Sequence, residues 1–167
     1  MRLLDLLQEQ LDIYRSGKVP DFLLMSDIMD YTLNFPDLCH HPLEERITAR
    51  ACLRNPALTT RLDELCTEHN KLAELCRKMA AAIRSVALDV ELPRNWFDKL
   101  ASSYIATYYE HMKMEETFHF PMADQALTAD DWHSIDALAD TDKDPLFGDD
   151  QQKHYQDLYA RILRHLA

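Results

Sequence analysis

The sequence predicts an all-α protein, and three observations lead to this fold class. Only two glycines, Gly17 and Gly148, occur in 167 residues, whereas a protein of many short strands would need far more in its turns. Apolar residues recur at steps of three and four along most of the chain, which is the period of an amphipathic helix. They make up 47% of the chain, a normal value for a globular protein. We therefore predict one helical bundle with accessory helices packed outside it.

Proline and glycine mark the ends of the first three predicted helices. The first helix stops before Gly17 and Pro20. The second covers about residues 21–34 and breaks at Pro36, because proline has no N–H to donate within a helix. The third covers about residues 37–54.

The fourth and fifth predicted helices, about residues 58–86 and 93–123, have the clearest apolar period. These five helices form the predicted bundle core, about residues 1–125. Short accessory helices are expected over about residues 128–166, and no linker divides the 167-residue chain into two domains.

Two features are expected after the core. Thr128 and Asp131 resemble a capping box that opens a short sixth helix. The acidic segment 139–150 is predicted to be a loop, and a last helix is predicted over about residues 151–166.

The formal net charge of −11 excludes some partners. A nucleic-acid surface or a polybasic membrane patch would be basic, so we expect neither partner. No apolar run is long enough to span a bilayer, and the first residues lack the features of a signal peptide. We expect a cytoplasmic protein, with a homodimer as an open alternative to a monomer.

Two segments repeat one pattern, in which a His is followed after three residues by two Glu. One segment begins at His40 and the other at His111. Residues four apart lie on one face of a helix, so His40 with Glu44 and His111 with Glu115 can each direct an imidazole and a carboxylate at one point. Two such helices facing each other would supply two nitrogens and two oxygens to a shared metal centre.

The polar residues in this pattern occupy positions that should be buried. His69 lies in an otherwise apolar stripe of the fourth helix, and His111 with Glu115 does so in the fifth. A carboxylate taken out of water without a partner costs several kcal/mol, and two brought together would repel each other. A cation removes both problems, and imidazoles with carboxylates suit iron or manganese better than zinc.

Some neighbouring residues are further candidate ligands. His41 pairs with Glu45 by the same spacing, but on a less apolar face, so we favour His40 with Glu44. Glu45 could instead be a surface acid or a partner that orients an imidazole. His119 lies two helical turns after His111, near the end of the fifth helix, and is a weaker candidate.

The combined pattern resembles the hemerythrin-like HHE cation-binding family over roughly residues 1–140. The resemblance depends on the run from His40 to Glu45, on Glu68 and His69, and on the run His111–Glu116 followed by Phe120 and Pro121. It implies a four-helix up-down bundle that holds a non-haem di-iron centre. It also implies that Glu44 and Glu115 bridge two metals and that His40, His69 and His111 are terminal ligands.

The chain departs from the family pattern at two positions. Where the family usually has a His on the first helix, this chain has Gln10, whose oxygen could bind a metal weakly or hydrogen-bond a metal-bound water. Where the oxygen carriers have another His, four residues after His69, it has Ala73. We expect open coordination positions, at which a small oxidant could bind.

Three functions remain open from the sequence. The first is a di-iron protein that senses dioxygen, nitric oxide or oxidative stress, or handles iron. The second is an enzyme that reduces peroxide or oxidises a small substrate at the open centre. The third is a helical interaction module that has lost part of its metal site.

Overall fold

The computed structural model describes residues 2–35, 40–88, 90–137, 146 and 155–165. Within these ranges the chain is helical and has no β-strand, which confirms the predicted all-α class. The helices are α1 (Arg2–Arg15), α2 (Phe22–Asn34), α3 (His41–Arg54), α4 (Thr59–Ala87), α5 (Arg94–Met114), α6 (Phe120–Ala126), α7 (Ala129–Asp136) and α8 (Gln156–His165). None of the described helices is long and apolar enough to cross a membrane.

Local sequence explains most helix ends. Gly17 ends the first helix with a φ of +85°, a conformation that glycine adopts without strain. The Asp21 side chain accepts a hydrogen bond from Leu24 N–H and caps α2. Thr128 and Asp131 form the predicted capping box of α7. The predicted break at Pro36, the start of the third helix at 37 and the loop 139–150 lie outside the described residues, except for Leu146.

The fifth predicted helix is interrupted where the sequence predicts a continuous one. One π-helical turn, Glu115–His119, separates α5 from α6. Pro121 supplies the reason, because it has no N–H for the carbonyl of Thr117 and its ring would collide with that carbonyl. The backbone widens instead, and Phe120 N–H bonds Glu115 O. Such turns are frequent at functional sites.

The helices α1, α2, α4 and α5 supply most of the main core. α1 packs against α2 and α5, while α4 packs against α2, α3 and α5. Their apolar faces bury large side chains, among which Leu11, Met79, Phe97 and Tyr104 are at most 1% exposed. A smaller apolar cluster joins α3, α6 and α7 and includes Ala51 and Ile135.

The two C-terminal helices pack against the longer helices, and α8 adds side chains to the main core. α7 packs on α3, and α8 packs on α1 and α2. α8 buries Leu158 and Ile162, and its Arg161 donates a hydrogen bond to Asp21 at 2.8 Å. The last helix is therefore confirmed over residues 156–165, while residues 151–154 are not described.

Candidate metal centre

Three helices and the π-helical turn bring six polar side chains together, which we call the His/Glu cluster. Its members are His40, His41, Glu44, His69, His111 and Glu115. All except His40 are buried; Glu44 is 5% exposed and Glu115 6%. The cluster lies where α3 and α4 meet the end of α5, so helix packing brings distant parts of the chain to one place.

The first half of the cluster, the nitrogen-rich group, is fully buried. It consists of His41, Glu44, His69 and His111. Each offers one ligand atom, and these atoms lie within 4.8 Å of one another. The rings of His41 and His69 stack with centroids 4.2 Å apart, and the His111 ring stands edge-on to His69 at 5.0 Å. Three imidazole nitrogens and a carboxylate oxygen are a donor set for a transition metal.

The second half, the oxygen-rich group, shares Glu44 with the first. It consists of His40, Glu44 and Glu115, whose ligand atoms also lie within 4.8 Å of one another. His40 Nε2 lies 2.9 Å from Glu44 Oε1, but the His40 side chain is 47% exposed. This group therefore combines two buried carboxylates with an imidazole that reaches solvent.

Two carboxylates outside the cluster hold its imidazoles. His69 Nδ1 lies 2.8 Å from Glu45 Oε1, and His111 Nδ1 lies 3.2 Å from Glu68 Oε2. With its proton on Nδ1, each ring donates to the outer carboxylate and leaves an Nε2 lone pair for the interior. Metal-binding histidines usually have such a partner, because it fixes the tautomer and the ring orientation.

The inner atoms of the cluster have no hydrogen-bond partner. They are Glu44 Oε1 and Oε2, His69 Nε2, His111 Nε2 and Glu115 Oε1. Some approach closely, as His111 Nε2 does to Glu115 Oε1 at 2.6 Å, but without the alignment of a hydrogen bond. Among the described residues no Lys or Arg pairs with Glu44 or Glu115. Buried polar atoms are normally satisfied, so this donor set fits a cation.

The side chains of the cluster shift one another's pKa. Burial raises the pKa of Glu44, but His40 and His69 outweigh that effect and hold it well below its ordinary value. Glu44 in turn raises the pKa of His40. Burial lowers the pKa of His111, yet Glu115 and Glu68 leave it raised. The imidazoles thus favour the charged form of Glu44, a role that a bound cation would take over.

The structure buries His41 more deeply, and His40 less deeply, than the sequence predicts. The sequence favours His40 as the inward ligand, whereas His41 is the buried one, at 4% exposed, and His40 lies at the edge. His40 and His41 stand at the start of α3, and Pro42 follows in its first turn. His41 and Glu44 are three residues apart, and this spacing also places two side chains on one helix face.

Two further candidates have different positions. His119 is buried on the π-helical turn, and its Nδ1 has no partner. Burial lowers the pKa of His119. It lines a small cavity of about 10 Å³ with Glu44 and Glu115, so it borders the cluster from the α6 side.

Gln10 is not brought to the cluster. Its Oε1 accepts a hydrogen bond from Asp21 N–H at 2.8 Å, at the beginning of α2. Thr32, near the end of α2, shares a cleft with the cluster. The eleven helical steps from Asp21 to Thr32 correspond to a rise of about 16 Å. The part of α1 that lines this cleft is its first turn, which includes Arg2 and Leu4.

A cleft opens beside the cluster. It has a volume of about 610 Å³ and is bordered by α1, α2, α5 and the cluster. Its residues are Arg2, Leu3, Leu4, Ile28, Tyr31, Thr32, Phe35, His40, His41, Tyr104, Tyr108, His111, Met112, Glu115, Glu116 and Phe120. It is therefore lined by some members of each group of candidate ligands.

A helical chain that buries imidazoles and carboxylates whose inner atoms have no hydrogen-bond partner belongs to the class of metal-binding helical proteins. The family model of the hemerythrin HHE cation binding domain matches residues 1–123, and the chain belongs to this family. The resemblance drawn from the sequence is therefore confirmed. No curated protein and no solved structure matches the chain at a significant level.

Proposed function

We propose that this chain is a non-haem di-iron protein in which Glu44 is shared between two metal positions. The single observation that supports this most is the set of buried, unpartnered donor atoms that converge around Glu44. The nitrogen-rich group would hold one iron and the oxygen-rich group the other. Imidazole and carboxylate donors suit iron and manganese, so manganese is the alternative metal.

The proposed ligands are those predicted from the sequence, with one addition. His40, Glu44, His69 and His111 keep their proposed roles, Glu115 stays a proposed ligand but at one metal position, and the burial of His41 supports adding it. Glu44 has both oxygens unpartnered, which supports a bridging role. Glu115 shares a group only with His40 and Glu44, so we propose it for the oxygen-rich position.

We propose that the fold around the centre is a four-helix up-down bundle. α1 would be the first helix, α2 with α3 the second, α4 the third, and α5 with its π-helical turn and α6 the fourth. The packing of α1 on α2 and α5, and of α4 on α2, α3 and α5, supports this arrangement. A single domain over residues 1–167, a cytoplasmic location and a homodimer stay predictions.

The biological role that fits such a centre is a response to small oxidants or to iron itself. Two irons with open coordination positions bind dioxygen, nitric oxide or peroxide, and they can be gained or lost. We propose sensing of these ligands, an oxidative-stress response or iron handling.

Metal analysis and thermal unfolding test this proposal together. The chain purified from iron-supplemented cells should contain near two equivalents of iron and show near-ultraviolet charge-transfer bands. Iron should raise its melting temperature above that of the chelated chain, because a ligand that binds only the folded state stabilises it by about 2.7 kcal/mol at a hundredfold excess over Kd. Under half an equivalent of iron without such bands would contradict the proposal. A melting temperature that iron does not change would favour the metal-free interaction module.

A second candidate is an enzyme that reduces peroxide, favoured by the cleft that reaches the oxygen-rich group. Turnover of hydrogen peroxide should then exceed that of free iron. It should also disappear in Glu115→Ala, which removes one proposed ligand. A rate no greater than that of free iron would exclude this candidate.

A further inference from the structure

The cleft beside the His/Glu cluster is far larger than a diatomic ligand or a peroxide requires. Its volume is about 610 Å³, whereas a water molecule occupies about 30 Å³ of the liquid. Pockets that bind organic molecules have volumes of about 300–1,000 Å³. The cleft therefore has the size of a site for an organic molecule.

The walls of the cleft are apolar and come from three helices. Leu4 on α1, Ile28 on α2 and Tyr104 on α5 are all at most 5% exposed, so these walls belong to the packed core. Half-buried Leu3 and Met112 complete them nearer to solvent. Such walls favour a hydrocarbon body through the burial of apolar surface.

The side of the cleft formed by the cluster has the opposite chemistry. His111 and Glu115, which are 3% and 6% exposed, both line it, and each has an inner atom without a hydrogen-bond partner. Exposed Arg2 and Glu116 also line the cleft, and their charges offset one another. A molecule in the cleft would therefore have an apolar body and one polar end at the cluster.

The oxygen-rich group determines the chemistry of that polar end. It has three candidate ligands, of which His40 and Glu115 line the cleft and Glu44 does not. A metal held by three protein ligands keeps open positions, and these would face the cleft. An anionic oxygen donor suits such a position, because two divalent cations carry more positive charge than Glu44 and Glu115 neutralise.

We propose that the cleft binds an apolar monocarboxylate, with its hydrocarbon chain against α1, α2 and α5 and its carboxylate at the oxygen-rich group. This inference rests on the proposed metal centre for the carboxylate end. The apolar end depends on the cleft alone.

Calorimetric titration of the iron-loaded chain with octanoate and with acetate tests the proposal. Octanoate should bind about a hundredfold more tightly than acetate, the gain expected from burying a few methylene groups. It should also shift the near-ultraviolet charge-transfer bands, since its carboxylate reaches the metal. Equal affinity for the two acids would overturn the proposal and leave the metal centre intact.

Two variants test whether the hydrocarbon chain of the ligand lies in the cleft. Met112→Trp and Leu3→Trp add volume to different walls, so failure of one to fold leaves the other as a test. Each should keep its iron and weaken octanoate binding at least about tenfold, while Leu53→Trp, on an exposed part of α3, should change neither. Unchanged octanoate affinity in both cleft variants would overturn the proposal.

The metal-free chain separates this inference from the proposed function. If the chain holds no iron, the proposed function fails, and titration with octanoate tests the apolar walls separately. If it holds iron but octanoate binds equally well with and without the metal, the metal centre stands and the orientation proposed for the carboxylate is wrong.

Discussion

Two places in this molecule bury acidic side chains, and they neutralise the charge in opposite ways. Asp131 is completely buried and accepts hydrogen bonds from Arg50 and Arg54 at 2.6–2.9 Å, and from Thr128. Glu44 and Glu115 are buried almost as deeply, but among the described residues their ion pairs are with imidazoles and not with Arg or Lys.

The charge of Asp131 is neutralised by arginines of the chain itself, whereas the acids of the His/Glu cluster have no such partner among the described residues. Arg50 and Arg54 pair with both carboxylate oxygens of Asp131. The pair links α7 to α3, and no oxygen of Asp131 is left without a partner. The acids of the His/Glu cluster have unpartnered oxygens beside unpartnered nitrogens. A cation from outside the chain would do for them what arginine does for Asp131. The comparison predicts that metal matters at one place and not at the other.

The largest expected effect comes from Glu44→Gln, which removes the carboxylate shared by both groups. Iron content should fall from near two equivalents to near zero, and iron should no longer raise the melting temperature. Metal analysis and paired melts with iron and with chelator measure both. Glu74→Gln, an exposed acid on α4, is the matched control and should behave as the unmodified chain. Full iron content in Glu44→Gln would remove the distinction between the two places.

A smaller effect is expected at the outer carboxylates. Glu68→Ala removes the partner of His111 Nδ1, so the ring loses its fixed tautomer and orientation. Iron affinity should fall about 10–100-fold, as is usual for such partners. Competition with a chelator of known affinity measures the change. Glu64→Ala alters an exposed acid on the same helix and should leave the affinity unchanged. An equal loss in both variants would mean that Glu68 acts only through general charge.

Asp131→Asn should lower the melting temperature by several degrees without changing the iron content. The variant leaves Arg50 and Arg54 without their charged partner and weakens the capping box of α7. The decrease should be the same with iron and with chelator, because this acid is not part of the metal centre. Differential scanning calorimetry measures it. A loss of iron in Asp131→Asn would show that the two places are coupled.

The smallest effect is a pH dependence that Asp131 contributes. Arg54, Thr128 and Arg50 hold the pKa of Asp131 well below its ordinary value. A carboxyl with a lowered native pKa contributes stability that is complete above its unfolded pKa, about 3.9, and is lost as the pH falls towards its native pKa.

Urea unfolding of the chelated chain at a series of pH values measures this dependence. Between about pH 4 and pH 2, the unmodified chain should lose more stability than Asp131→Asn, which has no carboxyl to protonate at that position. Parallel curves for the two chains would show that Asp131 does not contribute.

Much of the fold follows from local pattern. The steps of three and four in α4, the scarcity of glycine and the pair Thr128 and Asp131 are all short-range features that physical chemistry connects directly to helices and their ends. The π-helical turn does not follow in this way. Pro121 predicts that a helical hydrogen bond is missing, but it does not predict how the backbone adapts.

The sequence by itself determined the helical class, the family and the residue types of the candidate metal centre. These follow from the repeated spacing of His and Glu along helices, which does not depend on how the helices pack. Tertiary structure alone decided what the spacing left open. His41 rather than His40 lies buried, Glu68 on α4 reaches His111 on α5, and Gln10 lies at the far end of α2. The reason is that the rotation and the axial position of one helix against another depend on packing across the whole core.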